Sequence, residues 1–375
     1  MEFGIFIQMY TPKFRREVDP DAEHNALLHD LEAVIAADRA GFKYVWATEH
    51  HFLDEYSHLS ANETVLAYLA HATDRIHLGS GIFNPLPQVN HPAKVAEKVA
   101  MLDHLSGGRF EFGTGRGAGT HEILGFLPEM RDLTHTREIW EDVIGEFPKM
   151  WLQEEYEGYQ GEYWTLPPRK ILPKPWVKPH PAMWYAAGNT SSYEMAARKG
   201  LGVLGFSVGS IQELEPVITA YKATIPNAEP VGAFVNDNVM VTTGAYVDEN
   251  ADKAVETACL PHSSYLVSNV YRYHDTFPHP PHIPKWPELI PDSTPEIVRM
   301  GHEFGMIVGD PDHALEQCRR WEAAGADQLV FGIGTAPQEA TLEMIRLMGE
   351  YVIPNVDKDP IHSTNRYRDA AAAKV

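Results

Sequence analysis

The stretch GRFEFGTGRGAGTHEILGF, from Gly108 to Phe126, decides how this chain is read. An apolar run ends at Phe112, and glycines follow at 113, 115, 117 and 119. Such a loop either cradles the pyrophosphate of NAD or needs glycine for another reason. A dinucleotide fingerprint belongs to the first strand–helix unit of its domain and opens a helix within the glycine run. It also carries an acid about 20 residues on, at the end of the next strand. Here THEILGFLPEM follows, broken by Gly125 and Pro128; three strand candidates precede it, and Asp132 sits beside a helix start. The loop is therefore not read as a dinucleotide site. Arg116 gives it another purpose. A guanidinium just past the carboxyl end of a strand can fork onto a phosphate, while the glycines let backbone approach a flat ligand. The plainer alternative is an ion pair with a surface acid.

Outward from this stretch, strands and helices alternate. Short apolar runs without helical period read as buried strands at 3–8, 44–48, 76–83, 109–115, 182–188, 202–207, within 231–246, and at 327–334. Between them, helical periodicity marks 24–40, 92–105, about 134–153, 190–200, 210–224 and 337–352. Ser60 and Glu63 stand at capping-box spacing before another helix, and Asp310–Pro311 reads as a cap with proline at the first helical position. Eight βα units in series predict an α/β fold, a (β/α)8 TIM barrel, with a doubly wound sheet as the alternative. Residues 1–353 form the single barrel domain, interrupted by insertions at about 155–181 and 261–305. The first reads as a hairpin or arm and the second as a lid over the site. Residues 354–375 read as an exposed C-terminal tail.

Composition narrows the function. The 31 basic and 52 acidic residues give a net charge of −21, which repels phosphate backbones, so no nucleic acid is expected as a partner. No apolar run reaches the roughly 18–20 residues that span a bilayer, and nothing at the start resembles a signal peptide. Cys259 and Cys318 cannot make a disulfide framework and read as small buried hydrophobes, so a cytoplasmic protein without membrane contact is expected. A second phosphate candidate is AAGNTSSYEMAARKG (186–200). There a strand ends in Gly188, and Asn189, Thr190, Ser191 and Ser192 open a helix whose free amides and dipole favour an anion. Ordinary N-capping is the competing reading.

Several motifs in the same order carry a resemblance. EFGIFIQMY, VWATEHHF, IHLGSGIF…HPAKVAEKVAMLDHLSGGRFEFGTGRG, YAAGNTSSYEMAARKGLGVLGFS and EFGMIVGDPDHALEQCRRWEAAGADQLVFGIG resemble the bacterial luciferase-like flavin-dependent monooxygenases over residues 1 to about 353. The resemblance is weakest at 155–175 and 261–300. It implies a TIM barrel that uses reduced FMN (FMNH2) and O2, with the flavin supplied by a separate NAD(P)H:flavin reductase. It further implies that Arg116, Gly188, Asn189, Ser191 and Ser192 hold the FMN phosphate, with Arg131 or Arg137 as a second arginine. By the same resemblance Gly81–Ile82 is a non-proline cis peptide against the flavin ring, and Phe206 and Ser207 lie at the ring's far edge. His50 matches the catalytic histidine, while His51 and Glu97 match a pair that meets across a dimer interface, so a homodimer is implied. The reactive cysteine that luciferases carry beside the flavin is Gly115 here, which makes light emission unexpected.

The function implied is a two-component monooxygenase that oxygenates a small apolar ketone or aldehyde through a C4a-peroxyflavin, by Baeyer–Villiger insertion or hydroxylation. Tyr10 and Trp184 are read as substrate-pocket walls. An F420-dependent dehydrogenase or reductase of the same superfamily, and a non-catalytic flavin-binding partner subunit, remain as alternatives. A metal-dependent barrel hydrolase would want an H-x-H pair at the end of the first strand, and FGIFIQMY has none. His274, His279 and His282 are read as part of the lid rather than as metal ligands, and no metal is expected.

Overall fold

The computed structural model describes residues 1–373 apart from 54–55, 118–119, 207–209 and 261–292. Ser207, His274, His279, His282 and residues 261–292 of the expected lid therefore lie outside the described residues, as does the side chain of Phe206.

The apolar runs become strands β1 (Glu2–Ile7), β2 (Tyr44–Thr48), β3 (His77–Gly81), β4 (Phe110–Thr114), β5 (Tyr159–Gln160), β6 (Thr165–Leu166), β7 (Met183–Ala187), β8 (Gly202–Phe206), β9 (Val239–Val247), β10 (Ile307–Gly309) and β11 (Gln328–Gly332). Parallel pairing runs β11-β1-β2-β3-β4-β7-β8-β9, and β9 pairs back to β11, so eight strands among the described residues close into a barrel. This is the (β/α)8 architecture. β10 is a short parallel strand on the upper half of β9, outside the ring. β5 and β6 form the antiparallel hairpin expected in the first insertion.

Local signals explain most boundaries and three departures. Gly41 and Gly107 end the helices Ala22–Ala40 and Pro92–Ser106 in the left-handed region that glycine tolerates. Asp310 caps Pro311–Ala323 as its sequence implies. The expected capping box at Ser60 is absent: Asn62–Ala72 starts from Ala61 with no side-chain cap. The polar residue used there is Asn62, fully buried, whose amide donates to the carbonyls of Ala47 (3.0 Å) and Ile82 (3.4 Å) and stitches β2 to the chain leaving β3. The long helix at 134–153 is two helices, His135–Ile144 and Glu146–Leu152, parted at Gly145. Within 231–246, only the part from Val239 onward is strand.

Side chains inside the barrel change character from bottom to top. At the amino ends of the strands lies a polar floor. Glu111 accepts from Thr364 Oγ1 (2.6 Å) and Trp184 Nε1 (2.8 Å) and contacts His77 Nδ1 (2.7 Å). Glu2 accepts from Lys43, Tyr44 and Ser363. Burial pushes the Glu111 carboxyl up to about 7 and holds the His77 imidazole well below its usual range. The segment expected as an exposed tail closes this floor: His362 stacks on His77 at 3.7 Å, and Thr364, opening the helix Ser363–Ala372, is 1% exposed. Above the floor, Phe6, Tyr44, Trp46, Trp184, Leu204, Met240 and Val330 form an inner apolar cluster. Each such side chain contributes roughly 1.5–3 kcal/mol by leaving water.

Candidate functional site

At the carboxyl ends the same inward series shrinks to small residues, and the mouth of the barrel opens. Among the described residues, a side chain added at Gly188 or Gly332 would meet nothing within 4 Å, and one at Gly244 only the edge of Tyr246 at 3.9 Å. Other glycines near the mouth have packing reasons. A Cβ at Gly113 would lie 1.8 Å from the Ser80 carbonyl, so glycine is what lets β3 and β4 approach. Gly115 leaves 3.1 Å to Ile82, and Gly117 takes φ +98°. Gly113 therefore serves strand contact and Gly117 a turn. A short helix, Thr120–Phe126, does follow the glycines, but it belongs to the fourth βα unit of a barrel.

The two phosphate candidates sit on neighbouring strands. Arg116 leaves β4, and its guanidinium donates to Thr136 Oγ1 (2.7 Å) and the Leu133 carbonyl (3.4 Å), neutral partners both. Asn189, after β7, caps Thr190–Arg198 in a capping box with Ser192, while Ser191 Oγ donates to Asn189 Oδ1 at 2.9 Å. Capping and anion binding coexist at such an end, because a cap satisfies only some of the free amides. Of the two further arginines, Arg131 is exposed and tied to Pro128, Met130 and Glu129 on the surface. Arg137 lies one residue from the Thr136 hydroxyl that holds Arg116. Its Nε is buried without a hydrogen-bond partner among the described residues, 3.9 Å from Glu141.

On the adjoining rim, the Gly81–Ile82 peptide is cis. His50 follows β2 and is 6% exposed. Its amide donates to the Leu59 carbonyl (3.0 Å), its ring meets Tyr56 edge to face at 5.6 Å, and its Nδ1 lies 3.4 Å from Glu122 Oε2. His51 points elsewhere, with Nε2 3.1 Å from Glu49. Burial alone would lower this imidazole, but the Glu49 contact outweighs it and raises it. Glu97 is exposed on Pro92–Ser106, and within one chain His51 bonds Glu49 instead of it. Tyr10 is 1% exposed beside Tyr56, with the Arg15 guanidinium 4.9 Å over its ring. Trp184 is not at the mouth. Its fully buried indole lies against Trp46 and bonds the floor carboxylate Glu111, which makes it core.

Sequence reasoning passed over Glu122, the buried carboxylate facing His50. The quoted stretch contains it, six residues after Arg116, but its helix was discounted for Gly125 and Pro128. It also passed over Asp30, whose carboxylate takes the amides of Gln8 and Met9 (3.2 and 2.7 Å) where the chain leaves β1. Burial pushes that carboxyl up to about 7. Among the described residues no cluster of three or more His, Cys, Asp or Glu could hold a metal, and no helix is long and apolar enough to cross a membrane.

Comparison with known proteins bears on this geometry. The family model for luciferase-like monooxygenases matches residues 1–328. The oxygenase component of a flavin-dependent trigonelline monooxygenase from Acinetobacter baylyi is 25% identical over 342 residues, 89% of each chain. Among solved structures, a monooxygenase from Streptomyces bottropensis superposes with a TM-score of 0.75 at 22% identity, over 95% of this chain and 99% of that one. The oxygenating constituent of 3,6-diketocamphane monooxygenase from Pseudomonas putida, a Baeyer–Villiger enzyme in complex with FMN, gives 0.71 at 16% identity over 95% and 98%. An F420-dependent secondary alcohol dehydrogenase gives 0.70 at 16% over 94% and 98%. At these identities the structural likenesses establish the fold.

Proposed function

The chain belongs to the luciferase-like monooxygenases, and from that premise we propose that it is the oxygenase component of a two-component flavin system. It takes reduced FMN from a separate NAD(P)H:flavin reductase and uses O2 to oxygenate a small apolar ketone or aldehyde, by Baeyer–Villiger insertion or hydroxylation. Bound reduced FMN supplies the electrons that activate O2. The observation that carries the reading is the mouth itself: space over Gly188, Gly244 and Gly332 that no described residue fills, flanked by a forked cation and a helix start.

The residues divide the work. Arg116, whose present partners are neutral, would hold the phosphate, and Arg137, next to the Thr136 that holds Arg116, would join it. The amides opening Thr190–Arg198, with Asn189, Ser191 and Ser192, bind the same group, and Gly188 lets the backbone come close. Gly81 and Ile82, at the cis peptide on the rim, would hold the flavin ring. His50 accepts and returns the proton that the oxygenation moves. Tyr10 contributes to the substrate wall. The working form is a cytoplasmic homodimer in which His51 meets Glu97 of a second copy.

An anaerobic titration of the purified protein with FMNH2 and, in parallel, with reduced F420 tests this reading, followed by mixing with O2. Tight FMNH2 binding and reoxidation far slower than that of free flavin are expected. Preference for F420 would move the protein to the dehydrogenase reading, whose fold neighbour is noted above. Reoxidation at the free-solution rate would move it to the non-catalytic one.

A further inference from the structure

An imidazole acts as a base through one nitrogen, and which one is available depends on what the other faces. At His50 the surroundings are asymmetric. Glu122 divides its two oxygens over a single dipeptide: Oε1 accepts the His51 amide at 2.8 Å, and Oε2 faces His50 Nδ1 at 3.4 Å. Both side chains are 7% exposed. The His50 backbone is pinned to Leu59 and its ring to Tyr56, so the ring is held in place from two further directions. Nε2 makes no hydrogen bond among the described residues. Glu122 also shares one connection with Arg116, so the segment after β4 reaches both the phosphate candidate and the histidine.

Resting on the flavin reading above, we infer that Glu122 is the positioning residue of His50: its carboxylate keeps the proton on Nδ1 and presents the Nε2 lone pair to the reacting group. The proton leaving that group goes to Nε2, the Nδ1 proton stays where it is, and Glu122 remains ionised beside the imidazolium. The carboxylate thus selects the tautomer before reaction and offsets the charge during it, the role that a buried acid plays behind a catalytic or metal-bound histidine elsewhere.

The test needs neither flavin nor substrate, so its outcome is independent of whether the flavin reading survives. Protein labelled with 15N-histidine is examined by NMR above neutral pH, and His50→Gln identifies the His50 signals by difference. The wild-type ring should carry its proton on Nδ1. Glu122→Gln, which can still accept the His51 amide through its side-chain oxygen, should lower the Nδ1–H to Nε2–H ratio about tenfold or more, the loss of one charge-assisted bond. Glu122→Asp, which keeps the charge, should restore most of that ratio. An Nε2–H ring in the wild type overturns the inference, and so does a ratio unmoved in Glu122→Gln. FMNH2 failing to bind the wild type sinks the function proposed above and leaves the NMR result to decide this one.

Discussion

Thr364 tests the barrel floor most directly, because one hydroxyl from the far end of the chain reaches a carboxylate inside the barrel. Thr364→Val keeps the branched shape in a site 1% exposed and removes only the 2.6 Å donation to Glu111 Oε1. Glu111 keeps His77 and the Trp184 indole, so the loss is one bond rather than a stranded charge. A hydrogen bond to an ionised group is worth about 1.5–3 kcal/mol, and one between neutral groups about 0.5–1.5 kcal/mol. Burial raises the Glu111 carboxyl to about 7, above its unfolded value. The folded protein therefore loses stability as pH rises through that range, because an ionising carboxyl is being buried. Thr364 favours the ionised form and moderates this loss, so the variant should lose more. Guanidinium unfolding followed by tryptophan fluorescence should show a deficit of about 1.5–3 kcal/mol near pH 8, falling to about 1 kcal/mol or less near pH 5.5. Equal deficits at both pH values, or none near pH 8, would refute the floor as described.

Four further outcomes are expected. Arg116→Ala should raise the Kd for FMNH2 about tenfold to hundredfold by removing charge-assisted bonds of about 1.5–3 kcal/mol, and an unchanged Kd by anaerobic titration removes its phosphate role. Gly188→Val should leave the melting temperature near wild type, since the new Cβ meets no described residue within 4 Å, yet abolish FMNH2 binding; undiminished binding means the flavin lies elsewhere. Asp30, whose carboxyl is raised to about 7, contributes stability below neutrality that is lost as pH rises. Asp30→Asn should therefore gain on the wild type by roughly 3 kcal/mol between pH 5 and 8, and a gap that stays constant in denaturant titrations refutes the assignment. Glu97→Ala should shift sedimentation toward monomer on dilution, and an unchanged profile argues against its contact with His51.

The alternation of strands and helices was legible because each barrel strand is a short apolar run between punctuated helices. The phosphate-side candidates were legible for a similar reason, since strand ends and helix starts have local signatures. The floor was not. Glu2 and Glu111 lie inside EFGIFI and RFEF, where their apolar neighbours dominate the period, and the partners that justify them are Ser363 and Thr364, more than 250 residues beyond Glu111. Trp184 looked like a pocket wall because its sequence cannot say that its indole N–H donates to Glu111. Ser60 matched a cap by spacing, but the buried need was met by Asn62 two residues on, reaching the backbone of β2 and of the chain just past β3. Glu122 was hidden for the same reason: its significance is a distance to His50 across 72 positions.

Both ends of the described chain gather on the face away from the mouth. Met1 bonds Glu322 there, and the helix Ser363–Ala372 enters the floor. For anyone joining this protein to a flavin reductase in one polypeptide, that geometry sets the linker. On the flavin reading proposed above, a short tether at either terminus would park the donor behind the barrel, so flavin would still cross open solvent, and fusion would gain local concentration without a sheltered hand-over. A direct channel requires either a tether long enough to round the barrel or a permuted chain whose new ends fall in the loops of the opposite rim.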